Sequence, residues 1–185
     1  VFTDADVFNE KTRRFIKHYD RTYKKKIPEG DVINTLLYKN PYRTCTSLFR
    51  CIFLKDYYNY IDRFSSNKIG DAPLWLYIAR KSKVKYLTDT TSVYRVHNGS
   101  ISQSDNISEA IKFLRSGYKL SLSFSKYYDI SIDKNKLRKE YIRSSIFCCI
   151  RNNNLKYLRH YLKYPHIIFV QLLKEKIIKR VLDIL

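Results

Sequence analysis

Between Gly70 and Ser102 the chain runs Gly-Asp-Ala-Pro-Leu-Trp-Leu-Tyr-Ile-Ala-Arg-Lys, then Ser-Lys-Val-Lys-Tyr-Leu-Thr-Asp-Thr-Thr-Ser-Val-Tyr-Arg-Val-His, then Asn-Gly-Ser-Ile-Ser. No other stretch constrains the fold as much. Asp71 and Pro73 mark a helix start, because a proline in the first turn gives up an N–H that has no intrahelical partner. The apolar helix that follows is short and leads into a β-branched, Thr-rich segment ending at Tyr94-Arg95-Val96-His97. A strand returning cationic groups toward an acid at a helix N-terminus is the layout of a site that handles a phosphorylated substrate.

Composition sets the outer limits. With 185 residues the chain can bury a core. Its 36 Lys and Arg against 17 Asp and Glu give a net charge of +19, which predicts an anionic partner without choosing among nucleotide diphosphate, lipid phosphate, membrane surface and nucleic acid. Seventeen Tyr and ten Phe beside only four Gly and four Pro favour long helices over a turn-rich β fold. Cys45, Cys51, Cys148 and Cys149 lack zinc spacing and read as free thiols. No apolar run reaches the length of a membrane span.

Along the chain, Val1 to Thr3 reads as a strand and Lys24-Lys25-Lys26 as a solvated loop. Asp31 is a candidate N-cap for a short helix carrying Val32, Ile33, Leu36 and Leu37. Arg43 to Phe49 reads as a strand, and a helix with Phe53, Tyr57, Tyr60, Ile61 and Phe64 follows, then a loop around Ser65-Ser66-Asn67. From Ser104 the pattern turns helical. Ile107, Ile111, Leu114 and Tyr118 form one stripe, Asp133 can cap the next helix, and Asn152-Asn153-Asn154 interrupts it. A last helix from Ile167 would carry Leu173, Ile177, Val181 and Ile184 on one side. The expected fold is therefore α/β and mainly helical, with a helical bundle over 104–185 after an α/β part over 1–103.

The motifs also carry a resemblance. The Gly70-Asp71 helix start, the Tyr94-Arg95-Val96-His97 strand end, the strand Val1-Phe2-Thr3-Asp4-Ala5-Asp6-Val7-Phe8-Asn9-Glu10 and the segment Tyr42 to Arg50 together resemble the C-terminal half of the catalytic domain of bacterial family-2 glycosyltransferases, the inverting GT-A enzymes of surface-polysaccharide synthesis. The resemblance implies the acceptor-side part of a GT-A domain over 1–103, followed by a basic helical region over 104–185. The family's nucleotide-binding half and its metal motif have no counterpart in the chain. The chain is therefore expected to be a fragment, inactive by itself, of a transferase that uses a divalent metal, Mg²⁺ or Mn²⁺. Its implied partners are a nucleotide-sugar donor and a saccharide or lipid-linked acceptor, and nucleic acid is not expected. The implied location is cytoplasmic, with an anionic inner membrane face as a further candidate partner for the basic helices.

The resemblance makes Asp71 the catalytic base, against the plain alternative of an N-cap. Trp75, one helical turn on, either stacks on a sugar ring or packs in the core. Arg95 and His97 alternate with Val96 and are expected to share one strand face toward a diphosphate, the alternative being a surface Arg and a loop His. Thr44 and Thr46 are expected on one strand face near the acceptor, or else as ordinary strand threonines. Arg50 is a further candidate contact, and Asn98-Gly99-Ser100 reads as a turn beside the substrate. Asp4-Ala5-Asp6 has the form of an Asp-X-Asp metal site, but it matches the family's later strand, and a strand-end turn with a helix cap is the competing reading. The metal ligands stay unassigned. A binding module for nucleic acid or membrane, without catalysis, is the alternative function.

Overall fold

The computed structural model describes residues 1–23, 27–61, 64, 70–97 and 106–172. The Lys24–Lys26 run, the loop at Ser65–Asn67, the turn at Asn98–Ser100 and the end of the last helix from Leu173 onward lie outside the described residues. The fold is mixed α/β and mainly helical around a small sheet.

The sheet has three strands in the order β2-β1-β3. Strand β1 (Phe2–Asn9) is central, so it is buried along most of its length. It pairs antiparallel with β2 (Arg14–Ile16) and parallel with β3 (Tyr86–Val96). The β1–β3 register slips on both sides of Asp4, where extra β3 residues are accommodated. Such irregularities bend a strand locally, and this one coincides with the fully buried Asp4 carboxylate.

Of the two readings of Asp4-Ala5-Asp6, the structure shows a structural role for Asp4. Its Oδ1 accepts from the amides of Ala5 (2.8 Å) and Asp20 (2.9 Å), and its Oδ2 accepts from Arg21 Nε (3.0 Å) and, at 3.4 Å, the Arg21 amide. These donors tie β1 to the first turn of α1 (Tyr19–Tyr23). Asp6 is likewise engaged, its Oδ1 accepting from the His18 amide at 2.8 Å.

The longest apolar core gathers around α4 (Ala72–Lys81). Leu36 and Leu37 of α2 (Ile33–Tyr38), Tyr60 of α3 (Tyr57–Ile61), and Leu76, Tyr77 and Ile78 of α4 meet Leu120 and Phe124 of α5 (Ile107–Tyr127). Helix α5 is thus built into the core of the sheet-bearing part. Tyr60 lies against Tyr77 at 4.6 Å and Phe64 at 4.9 Å between ring centroids, and burial pushes its phenol strongly upward in pKa. Asp31 accepts from the Ile33 amide at 3.3 Å, but the cap position of α2 belongs to Val32, whose side chain has no acceptor for the orphan amides.

The helical region follows its punctuation closely. Asn106 caps α5 through bonds from the Ser108 and Glu109 amides, and Asp133 caps α6 (Lys134–Arg151) through the Lys136 amide at 3.0 Å. Asn153, at φ 48°, adopts the left-handed conformation that ends α6, and the Asn154 amide closes back on Cys149 O at 2.9 Å. Short turns at α7 (Leu155–Leu158) and Arg159–Tyr161 lead to a helical segment over 165–172. Cys148 and Cys149 are buried against Ile107 and Ala110, and Cys45 and Cys51 are exposed; all four are free thiols. No helix among the described residues is long and apolar enough to cross a membrane.

Two further local expectations fail: Phe53 lies in a 3₁₀ turn (Cys51–Leu54) apart from α3 instead of in one helix with Tyr57 and Tyr60, and the strand after Pro41 does not form. Arg43 to Phe49 is not a strand; Thr44–Thr46 form a 3₁₀ turn, and only Ser47 bridges to the sheet, at Phe2. The hydroxyls of Thr46 and Ser47 both donate to Arg43 O, at 2.9 and 3.1 Å. Side chains that bond nearby carbonyls compete with strand formation, and here that competition outweighs the β-propensity of threonine.

Candidate functional site

Asp71 occupies the N-cap position of α4, with φ −93° and ψ −24°, and the helix ladder starts with Trp75 N on Asp71 O at 3.1 Å. Pro73 in the first turn fixes this start. Its carboxylate makes no capping bond to the helix. Instead Oδ2 accepts from the Thr44 hydroxyl. The plain reading of Asp71 as a helix cap therefore does not describe its side chain.

Asp71 and Thr44 line a cleft of about 1030 Å³, at the upper end of ordinary ligand pockets. Arg43, Tyr94, His97 and Trp75 also line it. The acid at the helix start and the histidine at the strand end thus open onto one hollow. Tyr57 stands near enough for the Asp71 charge to act on it: burial first, and then Asp71, raise the Tyr57 phenol above its ordinary value.

Arg95 is not part of this cleft. Strand β3 ends at Val96, so the alternation expected to keep Arg95 and His97 on one face stops short of His97. Arg95 lies exposed and pairs with Glu10 at 3.0 Å. Thr46 also departs from the expected pairing with Thr44. The 3₁₀ turn buries it and directs its hydroxyl to the backbone, whereas Thr44 stays exposed toward Asp71. Arg50 is exposed and does not line the cleft.

Two cations line the cleft among the described residues, Lys39 and Arg43, and Arg43 is the one held in place by partners. Its guanidinium pairs with the buried carboxylate of Asp20 and lies over the rings of Tyr19, at 4.6 Å, and Tyr94, at 5.5 Å. Only 16 % of its side chain is exposed. No local signal in the sequence marks it, because its partners Tyr19, Asp20 and Tyr94 come from other segments of the chain.

Trp75 does two things. It packs edge-on against Phe49 at 5.8 Å within the main core, and it borders the cleft. Its indole N–H is buried without an acceptor among the described residues.

Among the described residues the charged side chains lining the cleft are Lys39, Arg43, Asp71 and Glu140, two of each sign. In a chain of net charge +19 this is a locally balanced surface. Among the described residues no cluster of three His, Cys, Asp or Glu side chains is arranged to hold a metal ion. The carboxylates of Asp4 and Asp6 are already taken up by backbone amides.

No family model, curated protein or solved structure matches the chain.

Proposed function

We propose that the cleft is the acceptor side of an inverting glycosyltransferase of the GT-A type, with Asp71 as the base. The observation that carries this reading is the Asp71 carboxylate, which sits at a helix N-terminus but is held by Thr44 in a ligand-sized cleft rather than spent on capping. A carboxylate in this position faces the partial positive charge of the α4 N-terminus. The resemblance of the Gly70–His97 region to family-2 enzymes points the same way.

In the proposed step the Asp71 carboxylate takes the proton of an acceptor hydroxyl. That oxygen forms a bond to the anomeric carbon as the bond to the nucleoside diphosphate breaks on the opposite face. The diphosphate leaves with the bonding electrons, the proton rests on Asp71, and the configuration inverts. Thr44, donating to Oδ2, fixes the carboxylate's orientation and leaves Oδ1 for the acceptor. His97 supplies an imidazole that donates to an oxygen of the substrate. The donor is held by a nucleotide-binding half joined to this chain, as the resemblance implies. Work on a lipid-linked acceptor at the inner membrane face, with basic side chains drawn to anionic lipid, belongs to the same proposal.

The net charge of +19 favours a second reading, a module that binds nucleic acid or membrane without catalysis. The cleft weighs against nucleic acid, because a groove that tracks phosphates needs an excess of cations along it and this one is balanced. One experiment bears directly on the proposed chemistry. When the protein joining this chain to its donor half is supplied with α-linked nucleotide sugars, proton NMR of the first product is expected to show a β linkage. An α linkage would contradict a single displacement assisted by Asp71.

A further inference from the structure

The cleft does not end at Asp71. Its far wall is made by α5 and α6, the helices that the sequence sets apart as a separate basic region. There Tyr118 and Tyr141 stack with their centroids 5.3 Å apart and their planes 31° from parallel. Both rings line the cleft, and so do the Glu140 side chain and the Ser144 hydroxyl-bearing residue beside them. Glu140 is 30 % exposed and is steadied by Arg143 Nη1 at 2.6 Å. Gly117, in mid-helix, adds backbone rather than a side chain to the same wall. Glycine there costs about 1 kcal/mol of helix stability relative to alanine.

Resting on the reading of Asp71 as an acceptor-side base, we propose that Tyr118, Tyr141 and Glu140 form a second saccharide subsite, which takes the sugar ring next to the one being glycosylated. A pyranose has a C–H face and a rim of hydroxyls. The face suits a pair of aromatic rings and the hydroxyls suit a carboxylate acceptor. The charges along the described lining balance, Lys39 and Arg43 against Asp71 and Glu140, so it calls for no net charge on the ligand. A neutral acceptor of two or more rings therefore fits the whole cleft, with its terminal ring at Asp71 and its preceding ring on the tyrosines.

The test is an array of neutral mono- to tetrasaccharides, with matched alkyl glycosides, probed with the 185-residue chain. Saccharides of two or more rings are expected to bind better than the matching monosaccharides. Tyr118→Ala and Tyr141→Ala are each expected to weaken that binding about tenfold, and Glu140→Gln less. Tyr118→Phe and Tyr141→Phe keep the ring and are expected to retain most of the binding, and urea unfolding of the alanine variants, expected to stay cooperative, separates loss of stacking from loss of fold. If the alanine variants bind multi-ring saccharides like the parent, the subsite is overturned while the acceptor-side reading stands. The same holds if alkyl glycosides are captured without regard to ring number, since the wall would then be a sleeve for an apolar chain. If the parent binds no saccharide of any length, the acceptor-side reading fails and takes the subsite with it.

Discussion

Asp71→Asn is expected to lower turnover about 10²–10⁴-fold in the protein that joins this chain to its donor half, the range a positioned base contributes. Saccharide binding should stay within about threefold of the parent, since a neutral amide of the same shape loses little in a solvent-accessible hydrogen bond. Asparagine can still accept from the Thr44 hydroxyl, so the local geometry is kept. Helix α4 should also survive, because the Asp71 side chain makes no capping bond. What disappears is the charge that takes the acceptor proton. Rate measurements at saturating acceptor, with saccharide affinity measured separately, check the split. Equal turnover in the variant would reject Asp71 as the base.

Asp4→Asn is expected to destabilise the fold by about 1–3 kcal/mol, the cost of leaving a buried hydrogen-bonding group unsatisfied. Asp4 is 0 % exposed and accepts four hydrogen bonds that fasten the central strand to α1. The amide would turn an NH₂ group toward donors already in place. Arg21→Ala should cost less, because the Arg21 side chain is 42 % exposed and water can replace part of what it supplies. Urea unfolding of the three proteins checks the order.

The same carboxylate predicts a pH dependence. Burial alone would raise the Asp4 pKa, but the donors from Asp20, the Arg21 side chain, Ala5 and the Arg21 amide together hold it below its ordinary value. A folded pKa below the unfolded one means that the stabilisation is complete above the ordinary carboxylate value of about 3.9. It is lost as pH falls through the lower folded value. The stability gap between parent and Asp4→Asn should therefore be constant near neutrality and close only in strong acid. The Asp4 charge also helps to raise the neighbouring Tyr86 phenol, which burial chiefly pushes up to about 12.

What the sequence revealed of this molecule was mostly local. Asp133, Pro73 and the asparagine run at 152–154 act through backbone groups a few residues away, so their meaning survives without tertiary information. The strand expected at Arg43–Phe49 failed because threonine carries two opposed tendencies, and the hydroxyls that bond Arg43 O decided between them. The Asp71–His97 half of the site was legible because both ends lie in one stretch of chain. Arg43 was not, since its role depends on Tyr19, Asp20 and Tyr94, brought to it by the sheet and α1. Tyr118 and Tyr141 were hidden for the same reason, each reading as an ordinary core position in its own helix. A glycine in the middle of α5, beside one of them, was the only local hint.

The account turns on a hydroxyl-rich, uncharged ligand entering the cleft beside Asp71. The chain's one tryptophan, Trp75, borders that cleft and can report on it. Titrating the 185-residue chain with neutral di- to tetrasaccharides, and in parallel with single-stranded RNA at physiological salt, is the most direct measurement. Saturable changes in Trp75 emission with at least one saccharide, undisturbed by RNA, are the predicted result. Emission that saturates with RNA and ignores every saccharide would contradict it.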